Sequence, residues 1–236
     1  MKRPIYKQIY NLLKKSHESL VSINPSTITN AGHGAFSRKR ISSELPRVVC
    51  LYPGIYTPPI PNYALRHTEY LANVIPPSFY THRLQMDENA YVLNLQSSGG
   101  YIDGCALESQ FNKTTKLNTN PSACGHLVNH DAVHYNTDVL DFCWSDIMGF
   151  QNCSGEEDDL YILPNEIRTD GSPWYYDKIH EDIVRFPKQS IETSGIKSHG
   201  AALLVTKPLD EGDELLLDYK LSEPYPKWAE EWYNRS

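Results

Sequence analysis

The stretch of sequence that decides the fold is Gly200–Tyr219, which reads GAALLVTKPLDEGDELLLDY. An apolar run opens it, an acidic turn with a proline and a glycine follows, and a second apolar run ends on Asp218 and Tyr219. Short apolar runs bounded by proline and glycine are typical of strands. The stretch therefore predicts two short strands joined by a tight corner as a β-hairpin.

The composition favours a mainly β protein. The chain has 236 residues, of which 40% are hydrophobic and 22% charged, and this is ordinary for one globular domain with a sizeable core. Its 16 tyrosines and 16 prolines favour short strands and rigid loops over a helical bundle. We therefore expect a mainly β fold with short helices.

Charge and cysteine content exclude several functional classes. The formal net charge of −7 argues against direct nucleic-acid binding and favours a basic partner. The five cysteines contain no Cys-x-x-Cys pair, so neither a zinc cluster nor a disulfide framework is expected.

No apolar run reaches the roughly 20 residues that a membrane helix needs, and no signal-peptide core is visible. We expect an intracellular protein of the nucleus or cytoplasm with no membrane partner.

The N-terminus predicts an amphipathic helix from Pro4 to about Leu20, because apolar residues recur there at helical spacing and lysines occupy the other faces. Such a helix would pack on the domain as a brace. A basic targeting presequence is the alternative. Residues 1–25 are therefore assigned as a helical extension.

Further strands are predicted from short runs rich in β-branched and aromatic residues. They are Val48–Tyr52, Ala90–Leu95, Tyr101–Gly104, Val139–Trp144 and Asp159–Leu163. Proline-rich and polar segments at 55–90 and 155–198 separate these runs, and we assign them as insertions.

Two short polar motifs are weak when taken singly. A Gly-x-Gly loop at 32–34 enters a strand, and its glycines let the backbone approach a ligand or turn sharply. Asn129 and His130 carry groups that either cap turns or contact a ligand. His130, Asp131 and His134 could form a metal site, but structural or surface histidines fit better because no further ligand completes the set.

The order of these motifs resembles that of the SET domain, the protein lysine methyltransferase family built on β-strands. The matching motifs are Gly32–Phe36, Tyr52–Gly54, Tyr101–Gly104, Asn129-His130 and Gly212–Tyr219. The resemblance implies a SET-domain (β-clip) fold of small sheets with a knot-like C-terminal segment. It places this domain at 26–222 and leaves 223–236 as a C-terminal aromatic segment.

The resemblance also implies an activity, the transfer of a methyl group from S-adenosylmethionine to an exposed lysine of a histone or another protein or peptide. The cofactor-binding residues that it implies are Gly32, His33, Gly34, Phe36, Asn129 and His130. Tyr219 is implied as the catalytic tyrosine, and Tyr52 is a second candidate for the wall of the lysine channel. No metal is implied. Glu214 and Asp218 are candidates for fixing the Tyr219 segment through hydrogen bonds.

One departure from the family pattern leaves an alternative function open. Asp131 and Ala132 follow the Asn-His pair, where the family usually has Ser-Cys. No Pro-Asn follows at the family's distance, and Asn136 is the candidate for that place. The alternative is a binding or scaffold protein that keeps the SET fold without turnover, and an unrelated β-rich domain is a third interpretation.

Overall fold

A computed structural model describes residues 2–42, 45–57, 91–98, 100–104, 120–149, 159–161, 163–167, 199–221 and 229. Within them the chain forms two α-helices, one 3₁₀ helix and eleven short strands in three small sheets. The predicted fold class, mainly β with short helices, is confirmed. Nearly all of the two predicted insertions and of the C-terminal aromatic segment lies outside the described residues.

The elements follow one another along the chain in a simple order. The helices are α1 (Lys2–Leu13) and α2 (Trp144–Met148), with the 3₁₀ helix at Gly125–Leu127. The strands are β1 (Val21–Pro25), β2 (His33–Ser37), β3 (Arg47–Tyr52), β4 (Gly54–Thr57), β5 (Val92–Asn94), β6 (Tyr101–Asp103), β7 (Asn129–His130), β8 (Thr137–Cys143), β9 (Asn165–Ile167), β10 (His199–Val205) and β11 (Leu216–Leu217). The sheets have the orders β1-β2, β3-β10-β8-β11-β7 and β5-β6-β4-β9.

Strand β10 forms the centre of the core, because its continuous apolar sequence is covered on both faces. It pairs antiparallel with β3 on one side and with β8 on the other. Leu203 and Val205 are buried in one hydrophobic cluster, whereas Ala202 and Leu204 are buried in a second. A strand that is apolar at successive positions therefore separates two apolar layers.

Helix α1 packs on the second of these clusters, in which Ile9, Leu12 and Leu13 are buried. The predicted brace is present, but its predicted extent to Leu20 was wrong. The helix ends at Leu13 because the backbone then pairs with residues 159–161, as the N–H of Lys15 donates to Asp159 O at 2.9 Å. Leu20 instead precedes β1 and is buried in the first cluster.

The predicted β-hairpin at 200–219 was also wrong, although both of its strands exist. Strand β8 lies between β10 and β11, and β11 runs parallel to β7 and β8. The connecting turn is held elsewhere, because Leu209 exchanges backbone hydrogen bonds with Ile41 and Leu215 N donates to Ala35 O at 2.8 Å. Contacts with Ile41 and with Ala35 of β2 thus carry the chain past β8.

Strand β11 gives the fold the expected knot-like C-terminal segment. Strands β7 and β8 are consecutive in the chain, yet β11 lies between them, so residues 131–136 link strands on either side of it. Asn136 fastens this arrangement, because its Nδ2 donates to Glu214 O at 2.9 Å and its Oδ1 accepts from Leu216 N at 3.0 Å. Asn136 is buried, so these bonds also satisfy its amide.

We expect Leu203→Ala to lower the free energy of unfolding by about 2–5 kcal/mol, because it removes a fully buried side chain at the centre of the core and leaves a cavity. Urea denaturation measures this loss. Ile23→Ala is the matched control, since Ile23 is 39% exposed. Equal losses in the two variants would contradict the central place of β10.

Candidate active site

Glu214 is a buried carboxylate at the junction of the N-terminal strands with the C-terminal segment. Its carboxylate accepts hydrogen bonds from Ser26 Oγ at 2.7 Å, from Thr27 N at 2.8 Å and from Asn129 Nδ2 at 3.0 Å, and also from Thr27 Oγ1. A buried charge is tolerated when several donors satisfy it. The expectation that Glu214 fixes its segment by hydrogen bonds is confirmed.

The hydrogen bonds also decide the ionisation of Glu214. Desolvation by burial acts to raise its pKa, but the bonds from Thr27, Ser26 and Asn129 together outweigh this effect. The pKa of Glu214 is therefore lowered from its ordinary value of 4.5. The group carries a full negative charge at neutral pH.

Gly34 provides the room that this carboxylate occupies. A Cβ on Gly34 would lie 2.1 Å from Glu214 Oε1 and 3.1 Å from Asn129 Nδ2. Gly32 differs, because its φ of +72° favours glycine and a Cβ there would meet nothing within 4 Å. Gly32 thus permits a turn beside open space, whereas Gly34 permits the Glu214 carboxylate to pack closely against the loop.

Asn129 joins this loop to the C-terminal strand. Its Nδ2 donates to His33 O at 3.1 Å as well as to Glu214, while its backbone lies in β7 beside β11. Phe36 is buried, and its backbone pairs with Glu214. The structure therefore brings His33, Gly34 and Asn129 together, and Phe36 lies buried further along the same strand.

His130 contacts the segment that carries Tyr219. Its Nδ1 lies 3.0 Å from Leu217 O and 3.1 Å from Tyr219 N, so one of these is a hydrogen bond in either tautomer. The two rings are 5.0 Å apart between centroids. The adjacent residues Asn129 and His130 therefore hold different groups, the first the glycine loop and the second the tyrosine.

The residues after His130 form a turn. Asp131 Oδ1 accepts from the backbone N–H groups of Val133 and His134, and its Oδ2 lies 3.1 Å from His134 Nδ1. In the described part of the chain, no group of three or more histidine, cysteine or acidic side chains is placed to hold a metal ion. The side chain of Asp131, which stands where the SET-domain pattern usually has serine, therefore caps a turn in this fold.

Tyr219 is a half-buried residue packed against the first hydrophobic cluster, and its phenol hydroxyl donates to Val128 O at 3.0 Å. Burial raises the pKa of Tyr219 strongly, and the proximity of Tyr91 raises it further. The phenol therefore keeps its proton at neutral pH. In this state it can donate and accept hydrogen bonds but cannot act as a base.

Tyr52 and Tyr219 line one cavity of about 340 Å³. The hydroxyl of Tyr52 donates to Tyr91 O at 2.8 Å, and its carbonyl accepts from Asn165 Nδ2 at 2.9 Å. The other lining residues are Val92, Leu93, Asn94, Gln96, Gly125, His126, Val128, Asp138, Val139, Asp141, Leu217, Asp218, Lys220 and Leu221. The two tyrosines predicted as catalytic thus meet at a space large enough for a side chain.

Sequence reasoning missed several residues of this region. Ser26 and Thr27 bond Glu214 from far away in the chain, and His126 and Asp138 line the cavity. No local pattern marks them. The expectation for Asp218 is confirmed, since its Oδ1 accepts from Lys220 N at 2.8 Å.

Comparison with known proteins finds solved structures that are similar to this chain at low sequence identity. No protein-family model matches the sequence, and no curated protein matches it significantly. A candidate histone methyltransferase of Plasmodium falciparum is 12% identical, with a TM-score of 0.36 over 88% of this chain and 98% of its own. KRYPTONITE in complex with mCHH DNA, an H3(1-15) peptide and SAH is 12% identical, with a TM-score of 0.36 over 86% of this chain and 24% of its own.

A third solved structure, ctPRC2 in an autoinhibited conformation bound to S-adenosylmethionine, is also 12% identical, with a TM-score of 0.39 over 91% of this chain and 16% of its own. The chain therefore spans 24% or less of the length of two of these three proteins.

None of the helices in the described ranges has the length and apolar character needed to cross a membrane.

Gly34→Ala should lower the free energy of unfolding by about 1–3 kcal/mol, because the new methyl group forces the Glu214 carboxylate out of its hydrogen bonds. The loss should shrink in a Glu214→Ala background, where the clash is gone. Gly149→Ala is the control, since a Cβ there would meet its neighbours at 3.6 Å or more. Urea denaturation of the four variants checks this, and equal losses in both backgrounds would contradict it.

Glu214→Gln should cost about 1–3 kcal/mol of stability near pH 7, because an amide cannot replace a carboxylate that accepts every bond. The lowered pKa means that this stabilisation is complete above the unfolded-state value of about 4.5 and is lost as the pH falls through the folded-state pKa. Urea denaturation from pH 7 to below 4.5 should show the difference between wild type and variant shrinking.

The control for this titration is Glu211→Gln, since Glu211 is exposed. A difference between wild type and Glu214→Gln that stays constant with pH would mean that the charge of Glu214 does not stabilise the fold.

Proposed function

We propose that this chain is an S-adenosylmethionine-dependent protein lysine N-methyltransferase of the SET-domain family. The observation that supports it most strongly is that Asn129 holds the Gly32–Gly34 loop while His130 holds the backbone between Leu217 and Tyr219, and Tyr219 lines a cavity. The resemblance assigns the glycine loop to cofactor binding and Tyr219 to catalysis. These two parts are thus linked through the adjacent residues Asn129 and His130. Within the family, we propose SET domain-containing protein 9 as the member that this chain resembles most, on the basis of the segments Asn120–Asn129 and Arg47–Tyr56.

The residues around Glu214 fit a cationic cofactor. S-adenosylmethionine carries a sulfonium and an ammonium group, and the ionised carboxylate of Glu214 supplies the opposite charge nearby. Asn129 Oδ1 accepts no hydrogen bond from the described residues, so it can accept one from a ligand. Open space beside Gly32 leaves the backbone of the loop accessible. Gly32, His33, Gly34, Phe36, Asn129 and His130 would form the cofactor site.

When bound, S-adenosylmethionine supplies an activated methyl group on its sulfonium. The chain's own residues must then present a neutral lysine amine, although free lysine has a pKa of about 10.4. The apolar residues Val92, Leu93 and Val128 would lower that pKa through desolvation, and the cationic sulfonium would lower it through like-charge repulsion, whereas the lining aspartates act in the opposite direction. No dedicated base is needed, because the amine can lose its proton to solvent before it enters.

Tyr219 acts in this scheme by orientation. Its phenol stays neutral and is fixed by Val128 O, so its oxygen can accept a hydrogen bond from the entering amine. Tyr52, fixed by Tyr91 O, forms the second wall of the channel. Holding the amine in line for transfer can supply much of the rate gain.

A second candidate function is that of a binding or scaffold protein with the same fold and no turnover. The observation that favours it is the turn at Asp131, where the side chain bonds its own backbone in place of the family's Ser-Cys. The two functions differ in one measurable respect, since only the enzyme transfers methyl groups in a Tyr219-dependent manner.

Tyr219→Phe should lower the rate of methyl transfer by about 10²-fold or more, because it removes a preorganised hydrogen-bonding group. Cofactor affinity should stay the same, since Tyr219 is not among the residues that bond Asn129 or Glu214. Labelled cofactor with a panel of histones and other proteins measures transfer, and calorimetry with S-adenosylhomocysteine measures affinity. Tyr135→Phe is the control, because its ring contacts Lys207 outside the cavity.

The outcomes separate the two candidates. Cofactor binding without any Tyr219-dependent labelling would favour the scaffold protein. Absence of both binding and labelling would overturn the methyltransferase proposal.

A further inference from the structure

Lys220 follows the predicted catalytic tyrosine directly and has an unusual backbone. Its φ is +52°, in the left-handed region that residues with a side chain disfavour. The conformation is held by Asp218, whose Oδ1 accepts from Lys220 N at 2.8 Å. Strain of this kind in a cavity wall is an observation from which a functional role can be inferred.

The turn brings the ammonium of Lys220 to an aspartate of the same cavity. Lys220 Nζ lies 3.7 Å from Asp138 Oδ1, and both residues line the cavity with Tyr219. The two other lining aspartates accept backbone hydrogen bonds, Asp141 from Ser97 N at 2.6 Å and Asp218 from Lys220 N. Asp138 thus differs from these two in its described contact, which is with the ammonium of Lys220.

This ion pair is placed to exchange partners. The side chains of Lys220 and Asp138 are 58% and 43% exposed. Exposed pairs change an equilibrium by no more than about fivefold, because solvent screens them and two long side chains must be ordered. A competing cation at the cavity could therefore replace Lys220 at little cost.

We propose that Lys220 and Asp138 determine specificity at this cavity, and this rests on the proposed function. In the resting protein the ammonium of Lys220 occupies Asp138. A substrate peptide brings a second cationic side chain close to its target lysine, and that side chain takes the place of Lys220. The excess of carboxylates over ammonium groups in the lining favours such a substrate over a neutral or acidic one.

Peptide binding in the presence of S-adenosylhomocysteine tests this without turnover. The probes are fluorescent peptides with one lysine and with arginine, alanine or glutamate near it, and the readout is anisotropy. Wild type should prefer the arginine peptide over the alanine peptide. Asp138→Asn should abolish the preference, and Lys220→Met should tighten the arginine peptide by about two- to fivefold, because the competing ammonium is removed. The double variant should behave like Asp138→Asn.

Two matched controls separate this exchange from a change in net charge. Lys39→Met and Asp146→Asn make the same charge changes at exposed residues outside the cavity, and both should leave the arginine preference as in wild type. Equal effects of Lys39→Met and Lys220→Met would overturn the proposal. So would an arginine preference that survives Asp138→Asn, or the absence of binding by all three peptides.

The result is also distinguishable from failure of the proposed function. Charge-dependent binding that follows Asp138 and Lys220, without any Tyr219-dependent methyl transfer, would support the exchange and contradict the enzyme. Tyr219-dependent methyl transfer, without an effect of Asp138 or Lys220 on peptide preference, would support the enzyme and contradict the exchange.

Discussion

The ionised carboxylate of Glu214 is the constraint on which the rest of the site depends. It bonds the turn after β1 through Ser26 and Thr27, and it bonds Asn129 in β7. Gly34 lacks a side chain at the place that this carboxylate fills. A single charge thus joins three segments that are distant in the chain, and its hydrogen bonds are stronger than neutral ones because one partner is ionised.

The passage of β11 between β7 and β8 also depends on Glu214. Glu214 and Leu215 lead into β11, which lies between β7 and β8, and Asn136 bonds both the carbonyl of Glu214 and the N–H of Leu216. Beyond the strand, His130 meets the backbone at Tyr219. The position of the phenol at the cavity is therefore set by a short chain of bonds that starts at a buried carboxylate.

Local pattern predicted strands such as β3 and β10, because apolar runs report burial directly, but the strand predicted at Asp159–Leu163 is only an isolated bridge at Leu160 within the described residues. It failed where partners are distant in sequence. The apolar side chain of Leu20 fits helical spacing, yet pairing of Lys15 with Asp159 ends the helix first. The predicted hairpin was wrong because strand order depends on the contacts of Leu209 with Ile41 and of Leu215 with Ala35. Ser26 also gives no signal, since a serine before a turn has many uses.

The most direct test of the proposed site is a crystal structure of the protein with S-adenosylhomocysteine. The Glu214 cluster predicts that the ligand contacts the backbone at His33 and the side chain of Asn129, with its sulfur facing the cavity at Tyr219. Its amino group should lie on the side of the Glu214 carboxylate. A ligand bound elsewhere, or with its sulfur directed away from Tyr219, would contradict the assignment of this junction as the methyl-transfer site.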